Sequence, residues 1–529
     1  MEQQNDLQKR LLLALTLSFI VFIAFDLLMP KTVSNVDNNQ TVKSQQSVPQ
    51  VAHNSNTPTA TMPSSAPSSS TPLSTVKALT TVNSDRFVYK IDELGRIAQV
   101  IMLEKKYEYE GKELKLLNPT SLNRPLEIRF SDVALNAEAS KTPYTTSATT
   151  VDVNSGNAKV VLEQKLSSTT VTKELTFYKD GHYDIKVNLS TPQPYFIMPG
   201  ERPTADHTRY MVVQGARIMK KNGEIVTIED GDAEKELNIP NAEFASSFDR
   251  YFTTTLYNFE KPLTVYTQAT EEENALVFVQ GEPSFALHGY LGPKESKVLS
   301  AINPKLTEVI EYGMLTVISK PLFKLLDWLH TYVGNWGWAI VLVTLLLKLL
   351  LFPLSYKGMM SMQKLKDLAP QMKELKEKYA KDPQKMNMKM MEMYKKEGAN
   401  PMGGCLPMIL QIPIFFAIYR VLLNSVELQG AEWILWIHDL SLKDPIFVLP
   451  LLMGASMWYQ QKLTPNTMTD PMQQKIFQFL PVVMTLFFLT FPAGLVLYWL
   501  TNNLFTIGQQ FVINNAYEKQ KAAKAALKK

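Results

Sequence analysis

The apolar and polar positions of this chain fall into three kinds of pattern. Continuous apolar runs occupy 11–29, 336–354, 405–423, 446–459, 476–491 and 493–513. Between about 79 and 310 the runs are short and alternate with period two, as in Phe87, Tyr89 and Ile91, or Leu126, Ile128 and Phe130. Tyr183, Ile185, Val187 and Leu189 repeat the pattern after a turn at Asp180 and Gly181, and Asn222–Gly223 marks another hairpin. Such alternation between turn signals predicts a mainly β domain of sandwich type.

Helical spacing appears in two further places. Leu322, Leu325, Leu326, Leu329 and Val333 share one face of a predicted amphipathic helix, which either lies on the outer membrane surface or packs against the β domain. Leu365, Leu368, Met372, Leu375 and Tyr379 recur at three and four, as do Met386, Met390 and Met393 after the Asp382–Pro383 break. These predict a helical hairpin with a coiled-coil seam. Met388 and Met391 fall off that seam, and serve either as an adaptable apolar surface or as core filler.

Charge orients the apolar runs. From Lys357 to Asn400 there are eleven lysines against six acids, and the end of the chain is again rich in lysine. Lysine excess marks cytoplasmic segments, so both are expected inside. Asn424 to Asp444 carries four acids against Lys443 alone, as an external loop should. The run at 11–29 follows Lys9 and Arg10 and lacks a small-residue cleavage site, so it reads as an uncleaved anchor rather than a signal peptide. Six spans with both termini inside satisfy every asymmetry, and residues 31–78, rich in Ser, Thr, Asn, Gln and Pro, form a tether to an exported β domain.

Composition removes other classes. A net charge of +4 over 529 residues is too small for a nucleic-acid binder, and Cys405, the sole cysteine, excludes an intramolecular disulfide. His53, His182, His207 and His288, four of the six histidines, have no partners at metal or triad spacing, and no phosphate-binding GxxxxGK[ST] loop occurs. Neither an enzyme nor a cofactor is expected.

Lys348 is the residue that demands a function. It stands within the apolar run 336–354, about 18 Å below Trp336 at ~1.5 Å per residue, where a cation is costly. Thr344 shares its helix face. Gln411, Ser456, Gln460, Gln478, Thr485, Asn502, Asn503, Gln509 and Gln510 lie in or at the ends of the other runs, and together they would wet a cavity. The competing reading is that Lys348 snorkels to the cytoplasmic interface. An anion transporter or channel would use the same lysine, but it predicts internal repeats that the chain lacks. A membrane-tethered periplasmic binding domain leaves Lys348 unexplained.

GGCLPMILQIPIF at 403–415, LWIHDLS at 435–441, TDPMQQKI at 469–476 and FPAGLVLYW at 491–499, with YLGPK at 290–294, resemble the YidC membrane protein insertases of Gram-negative bacteria. The resemblance covers the whole chain. It implies a multidomain membrane protein: an anchor (1–30), a tether (31–78), a periplasmic β-supersandwich (79–312) and an interfacial helix (313–333). Transmembrane helix 2 (334–355), a cytoplasmic helical hairpin (356–402), helices 3–6 (403–513) and a basic tail (514–529) would follow, five of the six spans forming the core. It also implies a hydrophilic groove open to cytoplasm and lipid, in which Lys348 takes the place of the family's arginine. An apolar slide for the substrate helix carries over to Phe415, Met457, Phe487 and Trp499 with Thr344, where many relatives have tyrosine at the Trp499 position. Gln411 and Tyr498 are placed in the same groove. The expected partners are nascent membrane proteins, the translating ribosome, the Sec translocon, the signal recognition particle or its receptor, and membrane lipids, in the bacterial inner membrane, with a monomer sufficient.

Overall fold

The computed structural model describes residues 78–526 except 109–110, 207–211, 235, 381, 399–405 and 465–470. The expected anchor, the tether up to residue 77, and Cys405 lie outside these residues. Ala78, assigned to the tether, already opens a strand.

The period-two runs form strands where expected. His182–Leu189 buries Tyr183, Ile185, Val187 and Leu189, and it pairs with Thr170–Phe177 across the Asp180–Gly181 turn. Asn222–Gly223 joins Gly215–Lys220 to Ile225–Glu229, with Gly223 at φ 84°, a conformation that favours glycine. The Leu126 run starts late: Leu126 is buried but left-handed at φ 69°, so the strand begins only at Ile128. Among the described residues the strands form one sheet of five and one of thirteen. Tyr89 of the smaller sheet packs its ring 5.6 Å from Phe177 and 6.4 Å from Tyr183 of the larger. Its hydroxyl donates to the Leu291 carbonyl at 2.6 Å and lies 2.9 Å from the Gly181 carbonyl, and the two sheets share one hydrophobic core.

Helices α1 (Val133–Ala139) and α2 (Ser296–Ile302) belong to this β region. The remaining helices are α3 (Thr316–Val333), α4 (Trp336–Leu350), α5 (Phe352–Lys378), α6 (Pro383–Glu397), α7 (Leu406–Asn424), α8 (Val448–Leu463), α9 (Pro471–Phe488) and α10 (Ala493–Ala526). The run at 336–354, expected as one span, is broken. It ends at Leu350, and α5 departs at 64°. Pro353, which has no N–H to donate, is tolerated only in the first turn of a new helix. Among the described residues no single helix is long and apolar enough to cross a membrane alone, and the α4–α5 pair passes only together. α10 runs unbroken across the expected 513/514 boundary between span and tail.

The α3 stripe buries Leu322, Phe323, Leu326 and Leu329 in the helical core with α4 and α7, while Val333 is exposed. The Ser319 hydroxyl donates to the Ala417 carbonyl of α7, confirming which surface it faces. In α5 and α6, Leu365, Leu368 and Met372 meet Met390, Met393 and Tyr394, whereas Met388 and Met391 are exposed.

The segment 425–447 gathers one end of the helices onto the β region. Val426 inserts into the sheet core, and the Ser296 N–H donates to Glu427 at 2.9 Å. Arg250 Nε reaches the Leu423 carbonyl at 2.6 Å. Asn335, the N-cap of α4, donates to the Glu432 and Trp433 carbonyls, and the Ala493 and Gly494 amides of α10 donate to the Leu442 and Leu440 carbonyls. This end of the bundle is therefore tied to segment 425–447 and the β region by side-chain and backbone bonds.

Candidate functional site

α10 is the helix to which the others turn their polar side chains. Asn502, Thr506, Gln510 and Asn514 are spaced by four, so they form one slowly winding polar stripe on a helix whose other positions are mostly apolar. Each meets a different neighbour. Asn502 Oδ1 accepts from Gln411 Nε2 of α7 at 2.8 Å, and Thr506 Oγ1 accepts from Lys348 Nζ of α4 at 2.9 Å. Gln510 Nε2 donates to Thr464 Oγ1, just after α8, at 3.2 Å, and Asn514 Oδ1 accepts from Gln363 Nε2 of α5 at 2.6 Å. Asn503, beside the stripe, donates to Ser456 Oγ of α8 at 3.0 Å.

A cavity of about 640 Å³ opens along this stripe. Its polar wall carries Gln411, Asn502, Asn503, Thr506 and Gln510; its apolar wall carries Phe415, Met457, Tyr498 and Trp499. Met359, Met362 and Gln363 of α5 line it at the end away from segment 425–447. A second pocket of about 20 Å³ lies beside it, bounded by Thr344, Lys348, Gln411, Tyr498 and Asn502.

Lys348 is 9% exposed, and among the described residues no carboxylate comes within ion-pairing distance of it. Its ammonium donates to Thr506 Oγ1, and Gln509 Nε2 donates to its backbone carbonyl at 3.3 Å. Thr344 lines the smaller pocket, but its hydroxyl donates to the Ile340 carbonyl of its own helix at 2.7 Å. It offers a methyl and a lone pair, not a free donor.

Seven of the eight expected site residues thus line one of two adjoining spaces. Phe487 lines neither: its ring packs 4.6 Å from Phe491 and 5.6 Å from Phe488. It reaches the apolar wall indirectly, since Phe488 packs 4.9 Å from Trp499 and Trp499 meets Phe415 edge-on at 4.7 Å. Thr506, Gln363 and Asn514 were not anticipated. The signal was available in the four-residue spacing along α10.

A family model described as 60Kd inner membrane protein matches residues 328–521, and one described as YidC periplasmic domain matches 79–325. The membrane protein insertase YidC of Campylobacter jejuni is 48% identical over 522 residues, covering 97% of each chain. That of Wolinella succinogenes is 52% identical over 450 residues, 85% of this chain and 84% of its own. A solved active YidC insertase with its first transmembrane domain resolved covers 82% of this chain and 94% of its own, at 18% identity and a TM-score of 0.35.

Proposed function

Because the chain belongs to the YidC family of membrane protein insertases, we propose that it inserts nascent membrane proteins by passing their polar flanks along the α10 stripe. The observation that carries this reading is Lys348: buried, without a carboxylate partner among the described residues, and held at the edge of a polar cavity. An acidic flank moving through hydrocarbon would meet a prohibitive desolvation cost. The amide wall replaces part of its hydration, and the lysine offsets part of its charge. The following apolar helix leaves along Phe415, Met457 and Trp499 into lipid, where burial at ~25 cal/mol per Å² drives the step. No fuel, cofactor or covalent chemistry is required, so the protein is not an enzyme in this reading.

Orientation follows from the two ends of the bundle. The end tied to segment 425–447 joins the β domain and faces the periplasm; the end lined by Met359, Met362 and Gln363 faces the cytoplasm with α5 and α6. Six spans cross the inner membrane with both termini inside, and the short apolar helices thin the bilayer around the cavity. The exposed Met388 and Met391 of α6 receive apolar segments arriving from the ribosome or its targeting factors, and the basic end of α10 contacts ribosomal phosphate. The protein works as a monomer or beside the Sec translocon. A lysine supplies point charge without the bidentate fork of arginine, so it asks no fixed geometry of a substrate carboxylate.

Lys348→Ala, Lys348→Glu and Lys348→Arg, reconstituted in liposomes with a short single-span substrate bearing an acidic external flank, test this reading. Insertion falls in Ala and Glu and recovers in Arg. Full insertion by the Glu variant would end the electrostatic account.

A further inference from the structure

Lys348 lines the smaller pocket and not the main cavity, which it meets only through its bond to Thr506. The 20 Å³ pocket against the lysine has room for about one water molecule, far less than a carboxylate side chain needs. Three residues, Gln411, Tyr498 and Asn502, bound both spaces. Two of them are joined across the boundary by the 2.8 Å bond from Gln411 Nε2 to Asn502 Oδ1. The third, Tyr498, is 3% exposed and stacks on Phe415 with ring centroids 6.3 Å apart, so it is held by packing.

We propose that the Gln411–Asn502 amide pair is a gate between the main cavity and Lys348, opened by translocating segments that carry a carboxylate. The inference rests on the insertase reading above and assigns its selectivity to two residues that carry no charge. Opening breaks one hydrogen bond between two amides in a low-dielectric site. A carboxylate compensates for it: Gln411 Nε2 donates to the carboxylate instead, and the Lys348 ammonium becomes accessible behind it. An apolar residue leaves both amides unpaired, a penalty that falls on the wrong substrate alone. Gln411 is placed to be the moving partner. It lies two residues before Pro413, which cannot donate to the carbonyl four residues back, whereas Asn502 sits within the long unbroken α10.

The experiment uses the full chain with Cys405→Ser, reconstituted in liposomes. Gln411→Cys and Asn502→Cys are bridged by a short, cleavable, bifunctional thiol reagent. Insertion is scored for two single-span substrates that differ only in an acidic or a neutral external flank. Relative to the unbridged double-cysteine protein, a closed gate lowers acidic-flank insertion to the level of the Lys348→Ala variant, lowers neutral-flank insertion less, and is reversed when the bridge is cleaved. Equal loss for both substrates, or no loss for either, would overturn the gate. If Lys348→Ala itself inserts the acidic flank normally, the insertase reading of the lysine fails instead, whatever the bridge does. A second measurement avoids the bridge: in Cys405→Ser with Lys348→Cys, adding Gln411→Ala speeds labelling by a small water-soluble maleimide. The loss of one net hydrogen bond corresponds to about a fivefold larger open population. Unchanged labelling would also overturn the gate.

Discussion

Arg250 Nε donates to the carbonyl of Leu423 at 2.6 Å, so a β-domain arginine caps the C-terminal turn of α7. The last carbonyls of a helix lack intrahelical donors, and a cation there also meets the negative end of the helix dipole. Arg250 is only 1% exposed, and its guanidinium lies 4.4 Å from the centre of the Tyr251 ring. Replacing it with Met keeps the volume and removes the cap. Arg250→Met should cost roughly 2 kcal/mol, typical of a hydrogen bond to a charged group. The change is read as a lower thermal midpoint in detergent and faster proteolysis within 425–447. An unaltered midpoint would mean that the two regions are held without this contact.

Glu427 makes the same junction sensitive to pH. Burial pushes its carboxyl up to about 7, and the neighbouring Glu295 and Asp327 carboxylates push the same way, while the Ser296 N–H opposes them. A carboxyl whose folded pKa is raised holds its proton after the unfolded chain has lost it. Stability is then fully present below the ordinary glutamate value of 4.5 and declines as pH rises through about 7. Glu427→Gln keeps an acceptor for the Ser296 amide and removes the titration. Its unfolding midpoint should fall less between pH 5 and 8 than the parent's, with the advantage greatest at the alkaline end. Parallel pH profiles for parent and variant would remove Glu427 as the source. Asp249, raised by burial to about 6, contributes in the same direction in both proteins and cancels in the comparison.

Gly337 and Trp433 fix how the outer segment sits on α4. A β-carbon at position 337 would stand 2.1 Å from Trp433 Cδ1 and 2.3 Å from Cγ, so the indole occupies the place of a side chain. Gly337→Ala forces either the indole or the segment aside, at ~1–3 kcal/mol for overpacking. Adding Trp433→Ala should recover part of that loss, giving a favourable coupling in a double-mutant cycle of thermal midpoints. Additive losses would show that the indole moves freely.

How much of this was legible beforehand divides by range along the chain. Alternation located the strand at Tyr183 because its cause lies within one strand, where facing directions repeat every two residues. It said nothing of the order in which strands pair, which sets Ile128–Phe130 beside Tyr195–Ile197. Lys348 stood out because a charge inside an apolar run has no local explanation. Thr506 did not, since a threonine in a helix commonly bonds its own backbone, as this one also does to the Asn502 carbonyl at 2.7 Å. The Gln411–Asn502 pair spans 91 positions, a separation that no local pattern encodes. The break after Leu350 was written in Pro353, but continuous hydropathy across 336–354 concealed it.

Pro481 leaves a backbone acceptor in α9 that a neighbouring helix supplies. Having no N–H, it cannot donate to the Phe477 carbonyl one turn earlier, and Gln461 Nε2 of α8 donates there instead. The glutamine thus substitutes for a missing helix bond. Gln461→Ala should therefore destabilise by ~1 kcal/mol or somewhat more, the usual net value of one hydrogen bond. The diagnostic experiment is the pair. Pro481→Ala restores a backbone donor to the Phe477 carbonyl, and in that background Gln461→Ala should cost almost nothing. Thermal midpoints of the four proteins, measured in one detergent, give the coupling directly. Equal costs in both backgrounds would assign Gln461 to packing rather than to repair of the proline break.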